Sequence, residues 1–212
     1  VPFEMKWLVE NELIPYLSTT FGLNQVIHYR VLKVADLGES NVDDQIGHLI
    51  AESSNPTVGV LAHPGQVDVR IAARAQDRGE ADTLIAPVEA KVRSILGDHV
   101  FAVDEETLEG VTGEILRARK LKIAVYEDLS GGAVAEAVSN AADTLFISGF
   151  VANSNYALNQ FAVAGGESPP FTDVSSRAAA LARAARVFNE ADMGIAVHSV
   201  AQGDDRTENL GR

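Results

Sequence analysis

Hydrophobic and polar positions in the first half of the chain change period several times, which predicts amphipathic helices alternating with short strands. The predicted helices cover residues 3–18, about 40–53 (beginning at Ser40 or Asn41) and 80–96. The predicted strands cover residues 28–36, the two segments flanking the turn at 63–65, and 100–103. After residue 22 this order is β-α-β-β-α with a short closing strand, which indicates a small α+β domain.

The second half of the chain has longer apolar strands separated by helical segments, a pattern typical of α/β domains. The predicted strands cover residues 121–126, 143–151 and 193–200, and the predicted helices lie at about 104–120, 131–141 and 175–191. The acidic triplet at 104–106 is the expected domain boundary. We also expect it to begin the first of these helices, because carboxylates are favourable at the positive end of a helix dipole.

The overall composition is acidic and contains no cysteine. The formal net charge is −13 and both halves carry an excess of Asp and Glu, which does not favour nucleic acid as a partner. Apolar runs are shorter than the roughly 18 residues of a membrane helix, and no secretory signal is visible, so we expect no membrane partner. The lack of cysteine fits a reducing compartment, and we expect a cytoplasmic location.

Short sequence motifs spread over nearly the whole chain match the motifs of one protein family. They lie at residues 2–6, 38–40, 55–58, 64–70, 104–108, 130–132 and 151–155. In residue identity, order and spacing these motifs resemble those of the CinA family. The resemblance implies that residues 1–22 are the terminal helix of a missing upstream domain, that 23–103 form a KH-like α+β middle domain, and that 104–212 form a three-layer α/β CinA C-terminal-type domain. It leaves open whether the end of that domain is truncated.

The resemblance also implies a chemistry. The family's C-terminal domain is similar to an amidohydrolase that removes ammonia from nicotinamide mononucleotide, using a serine activated by a lysine beside a tyrosine. Those three positions fall on Asp128, Asn153 and Leu158, so none of the three groups is retained. In a later glycine-rich loop, two glycines fall on Asp204 and Asp205, and carboxylates there would repel a phosphate.

The lysines of the second half agree with this interpretation without any alignment. Lys120 and Lys122 are the two lysines of residues 104–212, and both stand at the start of a predicted strand whose far end carries Glu127 and Asp128. Five or six extended residues span roughly 17–20 Å. We therefore expect neither lysine at the carboxyl end of the strand, where open α/β sheets place their sites.

The remaining candidates follow the same strand. The candidate ligand-binding residues are Ser130, Gly131, Gly132, Asn155, Gly203 and Thr207. Two interpretations stay open for each of the first three: the glycines hold an anion or form a tight turn, and Ser130 is a displaced nucleophile or, as its position favours, a helix N-cap. The carboxylates and histidine at Glu127, Asp128, His198, Asp204 and Asp205 are candidate cation ligands, although no spacing motif supports them.

The sequence thus favours a non-catalytic domain of the CinA type with a structural, oligomerisation or ligand-binding role. We expect no cofactor, a homo-oligomer, and a nucleotide-like small molecule as the ligand. The alternative is an active amidohydrolase that removes ammonia from nicotinamide mononucleotide in pyridine nucleotide salvage, with a rearranged site. Binding of single-stranded nucleic acid is a weaker third interpretation, since the chain is acidic and only 6% aromatic.

Overall fold

The structure, a computed structural model, describes residues 2–22, 25–171 and 173–199. Its contacts divide the chain into two compact units, Val1–Glu106 and Thr107–Arg212. The elements of the first unit are α1 (Pro2–Leu8), a π-helical segment (Val9–Leu13), α2 (Ile14–Phe21), β1 (Val26–Val34), α3 (Glu39–Glu52), β2 (Thr57–His63), β3 (Gln66–Ala75), α4 (Arg78–Leu96) and β4 (Val100–Val103). Each element predicted from the pattern of this half is present.

The first unit is built on an antiparallel sheet with strand order β2-β3-β1-β4. Alternation along β3 turns Val67, Val69 and Ile71 to one face, where they are almost fully buried against α3 and α4. The opposite face carries polar side chains, among them Arg70, whose guanidinium lies 3.9 Å from the ring centroid of Tyr29. The prediction of a small α+β domain is confirmed.

Two predicted helix starts are wrong, one in each half of the chain. Helix α3 is preceded by Gly38 as its N-cap, so Ser40 and Asn41 lie inside its first turn. The acidic triplet at 104–106 does not begin a helix, because Asp104 turns back with a φ of 50° and its carboxylate accepts hydrogen bonds from the Val31 amide (2.9 Å) and the Arg30 side chain (2.7 Å).

The second unit is a three-layer α/β sandwich around a parallel sheet with strand order β6-β5-β7. Its elements are α5 (Leu108–Arg119), β5 (Ile123–Glu127), α6 (Ala133–Ala142), β6 (Phe146–Val151), α7 (Asn155–Ala164), α8 (Val174–Phe188) and β7 (Met193–Val197). Along the central strand, Ile123 and Val125 face α5 and α6, whereas Ala124 and Tyr126 face α7 and α8. The prediction of a three-layer α/β domain is confirmed.

Helix α7 was not predicted from the sequence, and the strand boundaries differ by a few residues. Ser154 is the N-cap of α7 and accepts a hydrogen bond from the Ala157 amide at 3.1 Å. Leu158 and Phe161 then turn one face of this short helix into the core. No helix within the described residues is long and apolar enough to cross a membrane.

Candidate functional site

The carboxyl ends of the three parallel strands lie together at one edge of the second unit. Strand β5 ends at Glu127, Asp128 follows, and residues 128–132 turn into α6. Glu127 and Asp128 are 0% and 4% exposed, and they are the two charged side chains that are buried among the described residues. Burying a carboxylate is costly unless it is paired or hydrogen-bonded, so their partners define the chemistry of this edge.

Glu127 points at the amino end of α6. Its carboxylate accepts hydrogen bonds from the Ser130 hydroxyl (2.6 Å) and from the amides of Ala135 (2.8 Å) and Val134 (3.1 Å). Burial alone would raise the pKa of Glu127, but the hydroxyl of Ser130 and the helix amides outweigh it and hold the pKa below its ordinary value. Glu127 is therefore an ionised cap of α6, held by the helix dipole.

This arrangement corrects the predicted role of Ser130 as an N-cap. The N-cap residue of α6 is Gly132, with a φ of 107°, and the oxygens that bind the helix amides come from Glu127. Gly131 also has a positive φ, of 66°, as a tight strand-to-helix turn requires. The anion at this helix terminus is thus a side chain of the protein itself.

Asp128 points away from α6 toward the end of β7. Its Oδ2 atom lies 2.7 Å from Nδ1 of His198, and both of its oxygens lie 3.1 Å from the Ser199 amide. The Leu129 amide donates to Oδ1 at 2.5 Å. Burial opposes ionisation, yet the amides of Leu129 and Ser199 and the His198 ring together lower the pKa of Asp128. An ionised Asp128 assigns the Nδ1 proton to His198.

The His198 ring is held on one side only. Its side chain is 5% exposed, and its Nε2 atom is buried without a hydrogen-bond partner among the described residues. Since Nδ1 donates to Asp128, the neutral ring presents an acceptor lone pair at Nε2. A buried polar atom without a partner is rare in folded proteins and needs an explanation.

A cavity of about 230 Å³ opens beside this pair. It is lined by Asp128, Leu129, Ala152, Asn153, Asn155, Leu158, Arg177, His198 and Ser199. The three positions at which the resemblance expects the nucleophile, the tyrosine and the lysine therefore line one cavity. The structure brings Asp128, Asn153 and Leu158 together, and Leu158 is 4% exposed within the core below them.

Arg177, in the first turns of α8, is a lining residue that sequence reasoning missed. Its Nη1 atom lies 3.5 Å from Oδ1 of Asn155, and its Nε atom is buried without a partner among the described residues. The signal was weak, because an arginine near a helix start has no distinctive spacing. Of the predicted ligand-binding residues, Asn155 lines the cavity, while Gly203 and Thr207 lie outside the described residues.

The two lysines lie far from the cavity, and the predicted cation ligands do not form a group among the described residues. Lys120 ends α5 and Lys122 precedes β5, so both lie at the opposite end of the central strand from Asp128. Within the described part of the chain, no three His, Asp or Glu side chains form a group suited to a metal ion. Glu127 and Asp128 point to different partners, and Asp204 and Asp205 lie outside the described residues.

Tyr126 supports the cavity from below. Its hydroxyl donates to the Ala152 carbonyl at 2.9 Å, and its ring stacks on Phe150 and lies tilted against Phe161. Burial, with the nearby negative charge of Asp128, raises the pKa of Tyr126 to about 12. The phenol is therefore a protonated donor at neutral pH, and its hydrogen bond to Ala152 fixes the residue that precedes Asn153.

Comparisons with known proteins agree with this architecture. A model of the damage-inducible protein CinA KH domain matches residues 29–102, and a model of the CinA C-terminal domain matches residues 105–211. A relative from Moorella thermoacetica, named as a competence-damage inducible protein, is 38% identical over 94% of this chain and 49% of its own length. The chain belongs to the CinA family.

Other CinA relatives give the same picture. One from Caldicellulosiruptor saccharolyticus is 32% identical over 98% of this chain and 51% of its own length. One from Clostridium botulinum is 38% identical over 73% of this chain, and the match covers 38% of its own length. Both are also named as competence-damage inducible proteins. The chain spans about half the length of the first two relatives. The assignment of residues 1–22 to an upstream domain and the boundary at residue 103 stay predictions.

Proposed function

We propose that the C-terminal unit of this CinA chain binds a nucleotide-like small molecule without cleaving it. The observation that carries this proposal is the position of Asp128, where the resemblance expects a serine nucleophile. Its two oxygens accept hydrogen bonds from His198, Ser199 and Leu129. A carboxylate engaged in this way stabilises the fold of the edge, and it is not free to attack an amide.

The contacts of the Ser130 hydroxyl support the same conclusion. Nucleophilic catalysis needs a hydroxyl or thiol within hydrogen-bond reach of its base. The Ser130 hydroxyl instead donates to Glu127, and the two lysines of this half stand at the other end of β5. The cavity keeps polar groups that suit a ligand, because Arg177 retains a buried Nε donor without a partner among the described residues.

One observation favours the alternative of an active hydrolase. An aspartate that holds Nδ1 of a histidine and leaves Nε2 free is the arrangement of the base in Ser-His-Asp triads. The Asp128–His198 pair has that form. In such an enzyme His198 would take a proton from the water that attacks the amide carbon, and Asp128 would stabilise the resulting imidazolium. The imidazolium would then give this proton to the departing ammonia as the C–N bond breaks. Against this role, the resemblance expects the nucleophile itself at the position of Asp128, and the Ser130 hydroxyl donates to Glu127 instead of to His198.

One experiment separates the two candidates. The chain is incubated with nicotinamide mononucleotide, and ammonia release is followed with a coupled assay beside the His198→Asn variant. We expect no release above buffer from either protein. Release by the unaltered chain that disappears in His198→Asn would replace the non-catalytic proposal with the hydrolase.

Binding is tested separately by titration calorimetry with nicotinamide mononucleotide. Arg177→Ala is expected to weaken binding by about tenfold or more through loss of a cavity donor. Arg183→Ala is the matched control, since Arg183 lies on the same helix, pairs with Glu167 and does not line the cavity. If the unaltered chain shows no binding, the ligand-binding role fails.

We also propose that the chain self-associates. The second unit carries several exposed large apolar side chains, including Phe150, Val151 and Phe188. Exposed apolar clusters of this kind are typical of interaction surfaces. Sedimentation velocity over a wide concentration range tests it.

A further inference from the structure

We infer that the cavity beside Asp128 and His198 recognises the sugar–phosphate part of its ligand, a phosphate monoester that carries free hydroxyl groups, and does not require a base. The inference rests on the proposed ligand-binding function and names the part of the ligand that is bound. Arg177 pairs with the phosphate, and Nε2 of His198 accepts a hydrogen bond from a hydroxyl of the sugar.

The size of the cavity favours a ligand smaller than an intact nucleotide. Its volume is about 230 Å³, whereas pockets that enclose drug-sized molecules usually measure roughly 300–1,000 Å³. A nucleotide belongs to that size class, so the cavity encloses only a part of such a molecule. The groups of the cavity wall therefore decide which part is bound.

The described wall offers no aromatic surface on which a base can stack. None of its residues is Phe, Tyr or Trp, and aromatic side chains are the usual stacking partners of bases. The ring of Tyr126 lies beneath the cavity and is 0% exposed. The His198 side chain, at 5% exposed, presents too little of its ring to replace it. The base is thus the part of a nucleotide that this cavity stabilises least.

Arg177 is the group that suits an anion. Its Nε atom is buried without a partner among the described residues, and its Nη1 atom lies 3.5 Å from Oδ1 of Asn155. Arg183, later on the same helix, is instead held by both carboxylate oxygens of Glu167. Arg177 has no such carboxylate within the described part of the chain, so it retains donors for another anion. Phosphate oxygens match the planar geometry of a guanidinium.

The charge of Asp128 orients the ligand within the cavity. Its carboxylate is ionised and belongs to the same wall, so it repels a phosphate placed near His198. Helix α7 begins at Asn155, next to Arg177, and the positive end of the helix dipole favours an anion there. The phosphate is therefore expected at Arg177, and an uncharged group is expected at His198.

His198 requires a hydrogen-bond donor from the ligand. Its Nδ1 atom donates to Asp128, which leaves an acceptor lone pair at the buried Nε2 atom. An ionised phosphate or carboxylate oxygen is itself an acceptor and cannot satisfy Nε2, whereas a sugar hydroxyl donates one hydrogen bond. A hydroxylated anion is therefore favoured over the same anion without hydroxyl groups.

The test is titration calorimetry on the full chain with three probes: ribose 5-phosphate, ethyl phosphate and nicotinamide mononucleotide. Ethyl phosphate is a phosphate monoester without a free hydroxyl, so it is expected to bind about threefold to tenfold more weakly than ribose 5-phosphate. Nicotinamide mononucleotide is expected to bind within about threefold of ribose 5-phosphate, because its base makes few contacts with the cavity.

Three variants assign the two groups. Arg177→Ala is expected to weaken binding of ribose 5-phosphate and of ethyl phosphate by about tenfold or more. His198→Asn keeps an amide donor toward Asp128 and removes the acceptor at Nε2, so it is expected to weaken binding of ribose 5-phosphate alone, by about threefold to tenfold. Arg183→Ala, the control, is expected to change neither. Thermal unfolding of each variant checks that it is folded.

The outcomes separate this inference from the function on which it rests. Binding of nicotinamide mononucleotide without binding of ribose 5-phosphate would overturn the sugar–phosphate assignment and leave the ligand-binding proposal intact. Equal binding of ethyl phosphate and ribose 5-phosphate, or equal losses for both in His198→Asn, would overturn the role of His198. If none of the three probes binds, the proposed function fails together with this inference.

Discussion

The Nδ1 atom of His198 lies 2.7 Å from Oδ2 of Asp128, and the two side chains are only 5% and 6% exposed. This contact joins the residue after β5 to the residue after β7, so it ties together two neighbouring strands at the edge where an active site would lie. The residue at which the resemblance expects a nucleophile is here one member of a buried pair.

We predict that the Asp128–His198 pair stabilises the fold, and that the effects of changing each residue on the free energy of unfolding depend on each other. Asp128→Ala leaves the His198 ring and the Ser199 amide without their acceptor, and is expected to lower the free energy of unfolding by about 2–4 kcal/mol. Asp128→Asn keeps an acceptor oxygen and should lose less. Urea denaturation followed by circular dichroism measures both. A double-mutant cycle of Asp128→Ala with His198→Ala that gave no coupling energy would contradict the assignment.

The sequence predicts that Glu127, Asp128 and His198 lie at the same edge of the sheet, because the positions of the strands determine it. Glu127, Asp128 and His198 each end or follow a strand with a clear apolar pattern, and carboxyl ends of adjacent parallel strands meet. The partners of each residue were not predictable. Glu127 and Asp128 are adjacent in sequence, yet alternation along β5 sends one to α6 and the other to β7.

Two other elements show why the rest was missed. Helix α7 has a good N-cap in Ser154, but its polar Asn155, Asn159 and Gln160 weaken the helical pattern, and tertiary packing of Leu158 and Phe161 decides the outcome. Asp104 satisfies the rule for a helix start equally well, but its real partners, Arg30 and Val31, lie more than seventy residues earlier in the chain.

Stability is expected to fall at acid pH through Glu127 and Asp128. Both have a folded-state pKa below the ordinary value, so each binds a proton more tightly in the unfolded chain. Their stabilisation is complete above the ordinary carboxyl pKa, roughly 4, and is lost as the pH falls through the lower folded-state values. The midpoint temperature of thermal unfolding should therefore decrease once the pH falls below about 4.

Glu127→Gln is the variant that tests this contribution. A neutral amide cannot gain from ionisation, so the variant should be less stable at neutral pH and its unfolding midpoint should depend less on pH in the acid range. Glu136→Gln, a change in the first turn of the same helix, serves as the control. Equal acid dependence in Glu127→Gln and the unaltered chain would refute the capping role.

Close packing of β7 against α8 depends on a glycine. A Cβ atom on Gly194 would lie 1.9 Å from the Ala182 carbonyl oxygen and 3.0 Å from Cβ of Arg186. Gly194→Ala should therefore separate strand and helix and cost about 3 kcal/mol or more. Gly47→Ala, in α3 of the first unit, has open space around the added methyl and should stabilise by about 0.5–1 kcal/mol. Calorimetric unfolding of both variants compares them.

Asp104 is expected to stabilise the first unit and not helix α5. Its carboxylate accepts from the Val31 amide and pairs with Arg30, whereas α5 begins at Leu108 with Thr107 as its N-cap. Asp104→Ala removes both contacts and strains a residue with a φ of 50°, so a loss of about 1–2 kcal/mol is expected.

Asp104→Asn separates the contributions, because asparagine tolerates a positive φ and retains the oxygen that accepts from Val31 while losing the charge. It should lose less than about 1 kcal/mol, since the ion pair with Arg30 is partly exposed. Amide hydrogen exchange locates the effect. Faster exchange is expected at Val31 and along β1 in Asp104→Ala, with α5 unchanged. Faster exchange confined to α5 would instead show that the acidic triplet acts as the start of that helix.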